Sequence, residues 1–111
     1  MTLQETATRA TTKGNAMAKV MVRSTNAGVF YGKLVSRDGD TVVLKDSRRV
    51  WYWAGAATLS ELANKGTKAP AECKFPAAIK GRHTVLGVCE IIEMTPEAVK
   101  SLDAVPVWSA S

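Results

Sequence analysis

The stretch from residue 28 to 53, GVFYGKLVSRDGDTVVLKDSRRVWYW, constrains the fold more than any other part of the chain. Phe30, Gly32 and Leu34 alternate with Tyr31, Lys33 and Val35 before the polar stretch at 37–40, and an apolar run resumes at Val42. Asp-Gly supplies the positive backbone dihedral angles that a two-residue hairpin turn needs. The pattern predicts a hairpin with strands over 29–36 and 41–45.

Three further segments have the composition of strands: residues 20–23, 48–53 and 84–94. Five strands joined by tight turns are typical of a small barrel or a strongly bent sheet. With the two helices described next, the predicted class is mainly β (α+β): a small five-stranded bent sheet or SH3-like barrel with two short helices.

Two helix starts are visible in the sequence. Thr58 and Glu61 have the spacing of a capping box, which predicts a helix to about Lys65. Thr95 followed by Pro96 predicts the start of a second helix, because threonine is a good N-cap and proline suits the first helical position.

The chain divides into an arm and a domain. Residues 1–18 are polar, rich in Thr and Ala, and without periodicity, whereas residues 19–111 carry the strand and helix patterns of one small domain. A polar arm without a core pattern is usually ordered only on a partner surface. Met17 is an alternative start to Met1.

Charge narrows the classes of partner. The 15 basic and 10 acidic residues give a net charge of +5, which suits nucleic acid, a nucleotide or an acidic protein face, and also suits solubility alone. Residues 65–82 are mostly basic and residues 90–111 mostly acidic. These two parts could meet between neighbouring copies or be two solvated faces of one monomer.

No catalytic, metal or cofactor motif is recognisable. Cys73, Cys89 and His83 do not have the spacing of a zinc site, and Cys89 is expected to be a buried small hydrophobe. No Ser-His-Asp or Cys-His pattern occurs in a recognised context. We therefore expect a protein that is not an enzyme. Without an apolar signal sequence or a membrane-length run, it should not be secreted and should have no membrane partner.

The candidate contacts for an anion or nucleotide lie in two segments. Guanidinium groups suit phosphate and aromatic rings stack on bases, so the RRVWYW segment could form such a face. The alternative places both tryptophan rings in the core or at a subunit contact. The full candidate set is Arg48, Arg49, Trp51, Trp53, Lys65, Lys68 and Lys74.

The hairpin has a local resemblance to a known fold. Residues 30–34, with the turn at 38–40 and the apolar run at 42–44, are similar to the central strands of Sm-like and SH3-like barrels. The resemblance implies a barrel. The RNA-contacting motifs of the Sm-like family are not recognisable here, so it implies no RNA site.

A second resemblance covers residues 19–108. It is carried by STNAGVF at 24–30, RRVWYWAGA at 48–56, LSELA at 59–63, CKFP at 73–76, EIIEMT at 90–95 and VPVW at 105–108. These phrases resemble an uncharacterised family of small proteins encoded by tailed phages and prophages. The resemblance implies a viral origin and a compact accessory or structural protein, and it transfers no catalytic residue.

The function expected is therefore that of a phage structural protein acting by assembly, such as a capsid or tail decoration protein. It would form a homo-oligomer, contact other phage structural proteins, and be found in the virion or host cytoplasm. The alternative is a soluble phage-encoded binder of a nucleotide signal or nucleic acid that acts against host defence. A third possibility is an inhibitor of a host protein.

Overall fold

The computed structural model describes residues 18–109, and the predicted arm, apart from Ala18, lies outside them. Within this part the strands form one antiparallel sheet in the order β4-β3-β2-β1-β5. The elements are β1 (Lys19–Ser24), β2 (Gly28–Asp38), β3 (Thr41–Arg49), α1 (Leu59–Lys65), a 3₁₀ turn (Pro70–Glu72), β4 (Arg82–Val85), β5 (Val88–Glu93) and α2 (Pro96–Asp103).

Chain connectivity requires the sheet to bend. β4 and β5 lie at opposite ends of the strand order, yet only Leu86 and Gly87 join them. Three Cα steps span at most about 11 Å, whereas the outer strands of a flat five-stranded sheet would be about 19 Å apart. The predicted five-stranded bent sheet with two short helices is confirmed.

The bend separates two hydrophobic cores. β1 contributes residues to both cores, one from each face of the strand. Val20 and Val22 point to one side and Met21 to the other, as strand alternation requires. The inner core contains only strand residues: Val20, Val22, Phe30, Val42, Leu44 and Val85. The outer core adds helices and loops: Met21, Tyr31, Val50, Leu59, Leu62, Ala63, Cys73, Phe75, Leu102 and Val105.

Both threonine N-caps form as predicted, and the Glu61 side chain bonds the residue before the cap instead of Thr58 itself. Thr58 Oγ1 accepts from the Glu61 amide at 3.1 Å, and the Glu61 carboxylate accepts from the Ala57 amide at 2.8 Å. Thr95 Oγ1 accepts from the Ala98 amide at 3.0 Å. The caps fix where the helices begin and so place Leu62 and Leu102 in the outer core.

Two predicted strands were wrong in their bounds. No separate strand covers 48–53, because β3 continues without a turn from Lys45 to Arg49 and ends there. The long strand over 84–94 is divided at Gly87, whose φ of 66° is incompatible with an extended strand. The predicted burial of Cys89 was also wrong, because Cys89 is exposed and Cys73 is the buried cysteine.

Candidate functional site

The RRVWYW segment begins inside the sheet, at a bulge. β3 has Asp46 and Ser47 where β2 has only Gly32, so the register shifts between Lys33 and Tyr31. Asp46 adopts a positive φ of 53° to make room for the extra residue. A Cβ on Gly32 would lie 2.8 Å from the Ser47 Cα, so only glycine fits this close approach. The bulge aims Arg48 into the outer core.

Arg48 is a structural residue, and its prediction as an anion contact was wrong. It is 7% exposed. Its guanidinium donates to four backbone carbonyls: Pro76 (2.9 Å), Leu102 (3.1 Å), Phe75 (3.2 Å) and Val105 (2.8 Å). Its guanidinium carbon also lies 5.3 Å from the centroid of the Phe75 ring. The side chain therefore links the end of α2 and the 75–76 segment to the sheet by hydrogen bonds. Its donors are directed into the protein and not toward solvent.

Arg49 is also engaged within the molecule. Its Nη1 donates to the Ala27 carbonyl at 2.8 Å, and its guanidinium carbon lies 4.4 Å from the centroid of the Phe30 ring. Arg49 is half-buried whereas Arg48 is buried, so more of the Arg49 side chain is open to solvent. It holds the turn before β2 and does not form a phosphate fork together with Arg48.

The two tryptophans of the segment differ in environment. Trp53 is half-buried, packs on the outer core, and donates from Nε1 to the Ala56 carbonyl at 3.3 Å. Trp51 is 62% exposed, so a place in the core fits Trp53 and not Trp51, for which the alternative of a subunit contact stays a prediction. Tyr52, between them, is 52% exposed.

Tyr52 belongs to a surface made by three chain segments, and Trp51 is its exposed neighbour in the sequence. Tyr52 pairs with Lys74 in an antiparallel bridge, and Phe75 pairs with Val107 in a parallel one. The Trp108 amide donates to the Phe75 carbonyl at 3.0 Å, and Lys74 Nζ lies 5.7 Å from the centroid of the Trp108 ring. We call this the aromatic surface; its exposed apolar members are Trp51, Tyr52, Val107 and Trp108.

Of the predicted lysines, only Lys74 lies on the aromatic surface. Lys65 ends α1 and Lys68 follows in the loop after it. Both are exposed, and no ion pair involves them within residues 18–109. The sequence pattern included Tyr52 only as part of the RRVWYW segment and did not single out Val107 or Trp108 as site residues. Their joining depends on bridges between segments more than 20 residues apart, which no local pattern shows.

Ser47 and His83 form the contact that most resembles a catalytic pair. Ser47 Oγ lies 2.9 Å from His83 Nδ1, and the imidazole packs edge-on against Phe30 at 4.7 Å. Burial lowers the pKa of His83, and the nearby positive charge of Arg49 lowers it further. Ser47 is fully buried, so its hydroxyl cannot reach a substrate. The pair stabilises the packing of β3 on β4.

Tyr31 and Asp103 form a second polar contact beneath α2. Tyr31 Oη donates to Asp103 Oδ1 at 2.9 Å. Burial raises the pKa of the Tyr31 phenol; the hydrogen bond and charge of Asp103 raise it further, and Arg48 opposes them. The phenol stays protonated and serves as a donor that anchors α2.

The remaining candidate is a groove on the surface of the described residues 18–109. This groove of about 180 Å³ between the β2–β3 turn and β5 is smaller than typical small-molecule pockets. Its Arg37 Nε already donates to the Gly39 carbonyl, and its Glu90 pairs with Arg23 at 3.1 Å. No group of three or more His, Cys, Asp or Glu side chains in residues 18–109 is placed to hold a metal ion. None of the helices in this range is long and apolar enough to cross a bilayer.

Comparison with known proteins places the chain in one family. No curated protein and no solved structure matches it. The family described as "Domain of unknown function (DUF6948)" matches residues 17–102, a range that contains the whole sheet and leaves Val107 and Trp108 outside. Since the match covers well over half of the sequence, the chain belongs to the DUF6948 family.

Proposed function

We propose that this protein is a non-enzymatic structural protein that acts by assembly, and that its aromatic surface contacts a second copy of the chain. The observation that carries the proposal is the exposure of Trp51, Tyr52, Val107 and Trp108 on adjoining segments. Tyr and Trp are enriched at protein interfaces because they bury a large area and keep a polar group. A small domain also gains stability by association.

The phage setting of this proposal rests on the resemblance of residues 19–108 to tailed-phage and prophage proteins. In that setting the protein would decorate a capsid or tail as a homo-oligomer, in contact with other structural proteins. Mass spectrometry of purified virions tests the setting. Detection at a copy number typical of a structural component would support it, and absence from the virion would favour a soluble role in the host cytoplasm.

Light scattering across a range of protein concentrations tests the assembly. We expect the wild-type protein to associate, and the double variant Tyr52→Ser/Trp108→Ser to remain monomeric with its fold intact. Leu86→Ser is the matched control, because Leu86 is 64% exposed but lies on the β4–β5 connection. A wild-type monomer at every concentration, or a double variant that still associates, would contradict the proposal.

The arm over residues 1–18 has a separate place in the proposal, as a segment that lies across neighbouring copies. Deletion of residues 1–16 should leave thermal unfolding of the monomer unchanged, because these residues have no core pattern. The same deletion should weaken the assembly. A large loss of stability in the monomer would contradict the arm assignment.

A second candidate function is nucleic-acid binding, which the net charge of +5 favours. Arg48 and Arg49 do not support the nucleic-acid site predicted from the sequence, because both donate to backbone carbonyls within the molecule. A binding site would need cations that are exposed and not used by the fold.

A further inference from the structure

Four basic residues lie side by side across four strands. Lys19 of β1 is directly opposite Lys33 of β2, Lys33 is opposite Lys45 of β3, and Lys45 is opposite Arg82 of β4. Directly paired residues have Cα atoms about 4.5–5.5 Å apart and side chains on the same face. We call these residues the basic row; it spans about 15 Å of the sheet.

The basic row lies on the outer face of the sheet. Val20 follows Lys19 and Leu44 precedes Lys45, and both of these neighbours belong to the inner core. Because side chains alternate along a strand, the lysines point the other way. Lys19 lies near the end of α2, where it pairs with Asp103, and Lys45 and Arg82 at the other end of the row are exposed.

Only part of this charge is neutralised. Lys19 Nζ lies 3.4 Å from Asp103 Oδ2, and Lys33 Nζ lies 3.4 Å from Asp46 Oδ2. Within residues 18–109 neither Lys45 nor Arg82 has an ion pair. Like charges placed directly opposite each other destabilise a sheet, so folding alone does not explain the row.

We propose that the basic row binds the phosphodiester backbone of a nucleic acid. A compact anion needs donors that converge on one point, whereas the row presents its charges along a line, as a linear polyanion requires. The centres of protein–protein interfaces are depleted in charge, which makes an acidic protein the poorer match. Lys45 and Arg82 make the main contacts because no carboxylate competes for them.

This inference rests on the second proposed function and does not involve the aromatic surface. It assigns the phosphate contacts to residues that the sequence did not single out. It also separates two activities on one small domain, because assembly would use segments 51–52 and 107–108 while the row crosses the sheet.

Fluorescence anisotropy with a labelled oligothymidylate tests the row, with a labelled DNA duplex, inorganic polyphosphate and polyglutamate as further probes. The test variant is Lys45→Glu/Arg82→Glu, and the matched control is Arg37→Glu/Lys100→Glu, which makes the same change in net charge at exposed positions outside the predicted contact set. Lys45→Gln/Arg82→Gln removes the charges without reversing them. Unfolding midpoints in urea establish that each variant is folded.

We expect the wild-type protein to bind with an affinity that falls steeply with salt. The test variant should bind roughly tenfold or more weakly, and losing two phosphate contacts should reduce the salt slope for a single strand by about 1.4. The glutamine variant should show the same reduction in slope, and the control should keep most of its affinity.

Three outcomes would overturn the inference. Equal losses of affinity in the test and control variants would show that the row is not the binding site, without contradicting the nucleic-acid function. No binding of any nucleic acid at low salt would remove both. Equal binding of polyglutamate with the same dependence on Lys45 and Arg82 would assign the row to an acidic protein.

Discussion

The arginine pair at the end of β3 and the basic row across the middle of the sheet use the same kind of side chain in opposite ways. Arg48 turns inward and satisfies four carbonyls of the outer core, whereas Lys45 and Arg82 turn outward and have no ion pair in the described residues. The arginines are adjacent in sequence and suggested a ligand site. The row is scattered in sequence and is assembled by strand register. Strand register therefore brings distant cations together here, while adjacency in sequence does not keep Arg48 on the surface.

Among the substitutions that test this comparison, Arg48→Met has the largest expected effect on stability. We expect it to destabilise the fold by about 3–5 kcal/mol, because several buried carbonyls lose a charged donor together. Arg49→Met is the matched control; it removes one hydrogen bond and a contact with Phe30, so about 1 kcal/mol is expected. Urea unfolding midpoints measure both. Similar losses in the two variants would mean that Arg48 does not hold the outer core as described.

The tryptophans on either side of Tyr52 extend the comparison to apolar side chains. Trp53→Ala should cost about 2 kcal/mol, less than a fully buried ring would, since Trp53 is half-buried against the outer core. Trp51→Ala should change stability by less than about 0.5 kcal/mol, because the ring is mostly exposed. Thermal unfolding of the monomer checks both variants. A large loss in Trp51→Ala would place its ring inside the domain.

Local signals in the sequence were sufficient for the elements with local causes. The hairpin turn at Gly39, the cap at Thr58 and the cap at Thr95 each depend on a few neighbouring residues, and all three form. The turn differs in detail, because its two residues are Gly39 and Asp40 and only Gly39 has a positive φ. The strand break at Gly87 was missed because the apolar pattern continues across it. Its cause is tertiary: the chain must cross there between the two ends of the bent sheet.

The basic row could not be predicted because a bulge in β2 sets its register. Counting back from the turn without a bulge would pair Lys33 with Asp46, a favourable contact of opposite charges. One extra residue in β2, between Leu34 and Ser36, shifts the ladder and places Lys33 opposite Lys45. The burial of Arg48 depends in turn on the bulge in β3 and on carbonyls from distant segments. Hydrophobic periodicity contains neither piece of information.

A pH titration tests His83, which contacts Ser47 on β3 and lies near Arg49. Since the pKa of His83 is lowered in the folded protein, folding favours the neutral imidazole. Its contribution to stability is complete above the unfolded pKa of about 6.5 and is lost as pH falls toward the folded value. We expect the urea midpoint to fall below that pH, and His83→Gln to show a smaller fall. Parallel pH profiles for the two proteins would contradict the lowered pKa.

The smallest expected effect is also the most direct contrast with Arg48. Removing a cation from the row should stabilise the fold, because Lys45 lies opposite both Lys33 and Arg82. Lys45→Gln should raise the free energy of unfolding by about 0.2–0.5 kcal/mol at low salt, and screening should abolish the gain at high salt. Lys68→Gln is the control at an exposed loop position.

A double-mutant cycle with Arg82→Gln isolates the interaction between Lys45 and Arg82. If the two charges repel, the double variant gains less stability than the sum of the gains of the two single variants. Additive gains would show that the two cations do not interact, and the row would then be a set of independent surface charges.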